Sequence, residues 1–143
     1  MTDIPDTATI NAFNTAITDE FRANGGKVSG QFEGANLLLL TTTGAKSGQQ
    51  RISPLAYFDI GGKRIIIGSF AGSPKDPAWV HNLRADPRAR VEVGTDTFDV
   101  TAHELPPAER EQLFDKVVAV APGFADYQSK TSRVIPLFEL QRN

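Results

Sequence analysis

The stretch that most constrains the fold of this chain is Leu37–Pro54, LLLLTTTGAKSGQQRISP. Four leucines and then three threonines read as a strand that is buried first and polar later. The chain turns at Gly44, presents Lys46 and Ser47, turns again at Gly48, and returns through Arg51 into a second apolar run. Two β-rich runs around such glycines describe a hairpin. Its tip is basic and rich in backbone N–H groups, which together can hold an anion such as a phosphate. The residues alone leave a second reading open, a solvated hairpin whose Lys46 and Arg51 serve only solubility. An ATPase-type phosphate loop is excluded. That motif needs glycine directly before its lysine and another glycine five residues earlier, whereas Ala45 precedes Lys46 and Leu39 stands five before Gly44.

Ile52–Ile60 reads as the next strand, Gly61-Gly62 as a two-residue turn, and Arg64–Ser69 as a third strand. Three β runs in succession with tight turns argue for an antiparallel sheet closed into a small barrel. Ala89–Val93 and Thr97–His103 read as strands around a Gly94–Asp96 turn, with Val134–Leu140 as the closing strand. Residues 8–22 place Ile10, Phe13, Ile17 and Phe21 at helical spacing, and Asn24-Gly25-Gly26 ends that helix. Lys27–Asn36, with Gly30 and Gly34, reads as an irregular lead-in. A second helix should open with Asp76 as N-cap and Pro77 at its first position, carry Trp79, Val80 and Leu83, and stop at Ala85-Asp86-Pro87. Pro106–Val120 reads as a further amphipathic helix, and Pro122–Gln128 as a short aromatic segment.

The length, 143 residues, suits one domain spanning 1–143. Hydrophobic residues at 40% against 22% charged predict a folded chain. The absence of cysteine excludes disulfides and thiolate metal sites and fits a reducing, cytoplasmic setting. The acidic N-terminus lacks the long apolar run of a signal peptide, and the Leu37–Leu40 run is far too short to cross a bilayer. The first helix carries Asp19 and Glu20 against Arg22 on its polar face, the wrong balance for a membrane surface, so no stable membrane insertion is expected. Charge is unevenly spread. Residues 37–90 hold eight basic and three acidic side chains, whereas 91–143 hold five basic and nine acidic. The positive middle favours an anionic small molecule. Nucleic acid is disfavoured, because the chain is acidic overall and the basic stretch lacks interleaved aromatics. His81 and His103 have no neighbouring carboxylate pattern that would make a metal cage, and no Ser–His–acid set is visible. A bound cofactor would then have to bring any reactivity.

Three segments together, LLLLTTTGAKSGQQRISPL, RIIIGSFAGSPKDPAWVHNLRADPRARVEV and GFADYQSKTSRVIPLFEL, resemble the deazaflavin-dependent nitroreductase family of actinobacteria, over roughly residues 35–140. That family belongs to the flavin/deazaflavin oxidoreductase superfamily. The resemblance implies a mainly β fold with flanking helices (α+β), a split antiparallel β-barrel of the FMN-binding-like kind. It implies coenzyme F420 as cofactor, with FMN as the alternative. By the family motif, Lys46, Ser47 and Arg51 hold the phosphate and tail, and Pro54 shapes the strand beside the cofactor. Backbone groups of Ile67, Gly68 and Ser69 face the deazaflavin ring. Trp79 lies on the pocket side of its helix or, on the other reading, plugs the barrel mouth. Ser69 and Tyr127 are the candidate catalytic residues, as donors to developing charge or for proton delivery; their alternatives are a turn hydroxyl and a packed aromatic. Some positions depart from the family pattern: Phe70 and Ala45 replace basic residues, and Ala121 and Phe124 replace aromatic hydroxyls, so the pocket should be less polar. The expected activity is hydride transfer from reduced F420 to an electron-poor small molecule, an enone or coumarin, a quinone or a nitroarene, by a monomer or homodimer. An FMN-dependent oxidoreductase and a non-catalytic cofactor carrier on the same fold are the alternatives.

Overall fold

In the computed structural model, residues 7–27, 36–69 and 76–143 are described, with the side chains of residues 7–11 and 13 left aside. The expected apolar contacts of Ile10 and Phe13, the lead-in glycines Gly30 and Gly34, and Phe70 therefore lie outside the described residues.

After helix α1 (Thr7–Ala23) come strands β1 (Leu37–Thr43), β2 (Gln50–Ile60) and β3 (Lys63–Ile67). Helix α2 (Ala78–Ala85), strands β4 (Arg88–Val93) and β5 (Asp96–Glu104), helices α3 (Pro107–Val120) and α4 (Gly123–Ser129), and strand β6 (Leu137–Arg142) complete the order. The strands close into an antiparallel barrel in the order β1-β2-β3-β6-β5-β4. The four leucines of β1 show why the aliphatic run is unbroken. Leu38 and Leu40 pack inside with Ile66, Val91, Val100 and Phe138, whereas Leu37 and Leu39 lie outside beneath Phe21 and Ile17 of α1. A strand covered on both faces reads as a continuous apolar stretch. β3 behaves the same way: Ile66 points inward, while Ile65 and Ile67 join Leu113, Phe114 and Val117 of α3 in an outer layer. Helix α2 plugs the barrel with Trp79, Val80 and Leu83.

Several boundaries differ from the sequence expectation: β3 ends at Ile67 and not Ser69, where the Gly68 N–H turns to the Pro136 carbonyl, and three others have a local reason. Pro77, not Asp76, is the N-cap of α2, and no side chain caps that end. The Asp76 carboxylate is instead drawn away by Arg84 and Arg133. The closing strand starts at Leu137 and not Val134. The Ile135 N–H donates to Gln128 Oε1 at 3.0 Å and its carbonyl accepts from Arg110 Nε at 3.0 Å, so side chains take the groups a ladder would use. Pro136 then has no N–H to offer. β2 begins at Gln50, which leaves Pro54 inside the strand, opposite Leu39. β3 pairs only with Tyr57–Ile60, so at Pro54 the strand has one ladder to feed and the missing amide is tolerated.

Candidate functional site

Thr43 and Gln50 form the last rung of the β1–β2 hairpin, leaving residues 44–49 as its tip. The tip folds on itself. The Gly44 N–H donates to the Gln49 carbonyl at 2.7 Å, the Gly48 N–H to the Gly44 carbonyl at 2.9 Å, and the Gln49 N–H to Ser47 Oγ at 3.1 Å. Gly48 has φ +70°, a conformation in which a side chain would be strained. The Ala45 N–H donates to Asn82 Oδ1 of α2 at 2.9 Å. The amides of Lys46 and Ser47 are left with no acceptor among the described residues. The expected row of N–H groups is thus narrowed to two, side by side at the apex.

The charges are sorted in a similar way. Among the described residues, Lys63, Arg64, Arg84, Arg88 and Arg90 each pair with a carboxylate. Lys46 and Arg51 are exposed and pair with none. Most of the positive excess in the middle of the chain is therefore spent on internal pairs, and the two cations at the hairpin remain available to an outside anion. Two free amides and Lys46 on the turn, with the free cation Arg51 just beyond it on β2, form a suitable cradle for a phosphate.

The second group of residues expected at the site is at the end of β3. Ile67 pairs with Leu137 and packs in the outer layer. The Gly68 N–H donates to the Pro136 carbonyl at 2.9 Å. A Cβ on Gly68 would lie 2.8 Å from Val80 Cγ2 and 2.9 Å from Pro136 Cγ, so glycine is required here by helix and loop packing. Arg133 grips the following turn. Its Nη1 donates to the Gly68 carbonyl at 3.1 Å and to Asp76 Oδ1 at 2.8 Å, and its Nη2 to the Ser69 carbonyl at 2.8 Å. Arg133 thus holds both ends of the β3–α2 connection. Asp76 also accepts from Arg84 Nη1 at 2.9 Å, and Arg84 forks onto Glu104. Those carboxylates, the Glu104 hydrogen bond foremost, raise the Arg84 pKa further above its ordinary value.

The other two expected side chains sit deeper. Trp79 is only 5% exposed and stacks edge-to-face on Phe138 with centroids 5.7 Å apart, as a plug of the barrel. Tyr127 of α4 is half-buried against Phe124, itself edge-on to Phe58, in the outer layer. Its neighbour Gln128 donates from Nε2 to the Arg133 carbonyl at 2.8 Å, so α4 supports the Gly68–Ser69 turn at second hand. Helix α2 joins the two groups: Val80 stands against Gly68, while Asn82 reaches the hairpin. Sequence reasoning missed Asn82, Asp76 as an ion-pair partner, and Arg133. Asn82 carried a usable signal, a polar residue three positions after Trp79 on the apolar face of its helix. Arg133 carried none. Two surface clefts, one of about 540 Å³ between Lys63 and Glu109, lie around the β2–β3 turn at the far end of β2 and touch none of these residues.

A family model described as F420H(2)-dependent quinone reductase matches residues 14–141. The chain belongs to that family. Membership makes this protein an F420H2-dependent reductase, as the TTTGAKSGQQR and DPAWVHNL segments led us to expect. It is 38% identical over 126 residues to the F420H(2)-dependent quinone reductase Rv1261c of Mycobacterium tuberculosis, covering 85% of each chain. Among solved structures it is similar to the F420-H2 dependent reductase FDR-A, with 41% identity, a TM-score of 0.66, and coverage of 74% of this chain and 94% of that one. A structure described as a domain-swapped dimer matches at 35% identity and a TM-score of 0.68, covering 95% of this chain and 100% of that one. No helix among the described residues is long and apolar enough to cross a membrane.

Proposed function

We propose that this reductase passes a hydride from reduced F420 to a quinone-like acceptor, and that it holds the cofactor's phosphate and tail at Lys46, Ser47 and Arg51. Enones, coumarins and nitroarenes share the electron-poor chemistry and are the further acceptors to try. The observation that carries the reading is the hairpin, whose apex offers two uncommitted N–H groups and exposed Lys46, with exposed Arg51 next to the tip on β2 and neither cation paired with a carboxylate. F420 supplies the hydride when bound. The chain's own work is to hold it, orient it and exclude water. Lys46 and Arg51 neutralise the anionic tail, and Ser47 adds its amide. Arg133 fixes the Gly68 and Ser69 carbonyls and so stiffens the turn assigned to the ring. The hydroxyls of Ser69 and Tyr127 are assigned to donate to negative charge developing on the acceptor oxygen. We assign a homodimer as the working form, on the strength of the domain-swapped relative.

The test is Lys46→Ala/Arg51→Ala with F420 binding measured by titration. Each charge-assisted contact is worth about 1.5–3 kcal/mol, so the pair should cost well over tenfold in affinity. Melting should be unchanged, because both side chains are exposed and unpaired. A loss below about threefold would return the hairpin to the status of a solvated turn. A preparation that holds FMN tightly and ignores reduced F420 would replace the cofactor assignment outright.

A further inference from the structure

Asn82 is a polar side chain only 6% exposed, on a helix whose other buried residues, Trp79, Val80 and Leu83, form the barrel plug. Burying a carboxamide there is costly unless both of its ends are used. Both are. The Ala45 N–H can only donate, which sets Oδ1 toward it at 2.9 Å and leaves Nδ2 to donate to the Thr42 hydroxyl at 3.1 Å. Among the described residues these are the hydrogen bonds that join α2 to the β1–β2 hairpin.

The hairpin tip has two separate sets of bonds with different consequences. Gly44, Ser47, Gly48 and Gln49 bond to one another, which fixes the shape of the tip. Those bonds do nothing to fix its place relative to the barrel. Beyond the Thr43–Gln50 rung at its base, the two bonds to Asn82 supply that place: one acts on Ala45, the residue directly before the two free amides, and the other on Thr42 in β1. Helix α2 also stands against the end of β3, where Val80 fills the space beside Gly68. One helix, itself held by the core, is therefore the common reference for the tip and for the Gly68–Ser69 turn.

We infer that Asn82, through the Ala45 amide and Thr42, is the positioning residue that sets the reach between the phosphate cradle and the ring-side turn. This rests on the assignment of the phosphate to Lys46, Ser47 and Arg51. The ligand pair that reads it is F420 and the same deazaflavin with its ribityl chain but no phosphate. A positioning role moves affinity for the first and not the second, whereas a general loss of structure moves both.

The experiment titrates both ligands against the wild type, Asn82→Ala, Thr42→Val and Thr42→Ser. The wild type should prefer F420 by at least about tenfold. Asn82→Ala and Thr42→Val should each lower F420 affinity by about tenfold and leave the phosphate-free ligand within about twofold, while Thr42→Ser restores the wild-type preference. If Asn82→Ala does not fold, the Thr42 pair reads the same contact. Equal losses for the two ligands, or a wild-type preference retained by Asn82→Ala and Thr42→Val, would overturn the inference. A wild type indifferent to the phosphate would overturn the hairpin assignment itself, and that outcome is distinguishable from either.

Discussion

The replacement Arg133→Met tests the load on the Gly68–Ser69 turn, because methionine keeps the aliphatic stem and removes only the guanidinium. The donations lost include those to the Gly68 carbonyl at 3.1 Å, the Ser69 carbonyl at 2.8 Å and Asp76 Oδ1 at 2.8 Å. Arg133 and Asp76 have side chains only 15% and 16% exposed. Breaking one side of a buried pair costs about 3–5 kcal/mol. Two things reduce that here. Asp76 keeps Arg84 at 2.9 Å, and the residual exposure lets water reach the freed carbonyls. We expect a loss of about 2–4 kcal/mol, which lowers the melting temperature of a chain this size by roughly 6–12 °C. Arg84→Met removes the other partner of Asp76 from a side chain 42% exposed, and should cost no more than about 1 kcal/mol. Urea unfolding with an unchanged slope measures both, and a double-mutant cycle with Asp76→Asn should give Arg133 the larger coupling. A loss below about 1 kcal/mol for Arg133→Met, or an equal loss for Arg84→Met, would refute the idea that Arg133 holds the β3–α2 connection together.

Two further outcomes follow from local geometry. Gly68→Ala drives a methyl into Val80 and Pro136, neither of which is the free end of a flexible chain, and should cost about 1–3 kcal/mol; an unchanged melting curve would mean that the helix plug yields easily. Asp86 is held below the usual carboxylate range, chiefly by hydrogen bonds from the Arg88 side chain and then from its backbone N–H. A depressed carboxylate pKa contributes stability that is present above the unfolded value, about 3.9, and is lost as pH falls through the folded one. The wild type should therefore be more stable than Asp86→Asn at pH 7, and the gap should narrow below about pH 4; a gap constant down to pH 2 would remove the pair from the stability account.

The sequence by itself determined the barrel and the family. Aliphatic runs, glycine turns and helical spacing are local signals, and they located β1, β2, β3, α1 and α3 to within a residue or two. The TTTGAKSGQQR hairpin and the DPAWVHNL helix were specific enough together to point to F420. Tertiary structure alone decided which of the basic residues are free. Lys46, Arg51 and Arg84 look alike in the sequence, and only the approach of Glu104 from β5 sets Arg84 apart. The same holds for Asp76, which reads as an N-cap until Arg133, 57 positions later, takes its carboxylate. It holds again for Val134–Pro136, a plausible strand in isolation whose amide and carbonyl go to Gln128 and Arg110. In each case at least one deciding partner, Glu104, Arg133 or Arg110, is distant in the chain, and hydrogen bonding and charge pairing at that range depend on where the barrel brings the backbone, which no local pattern encodes.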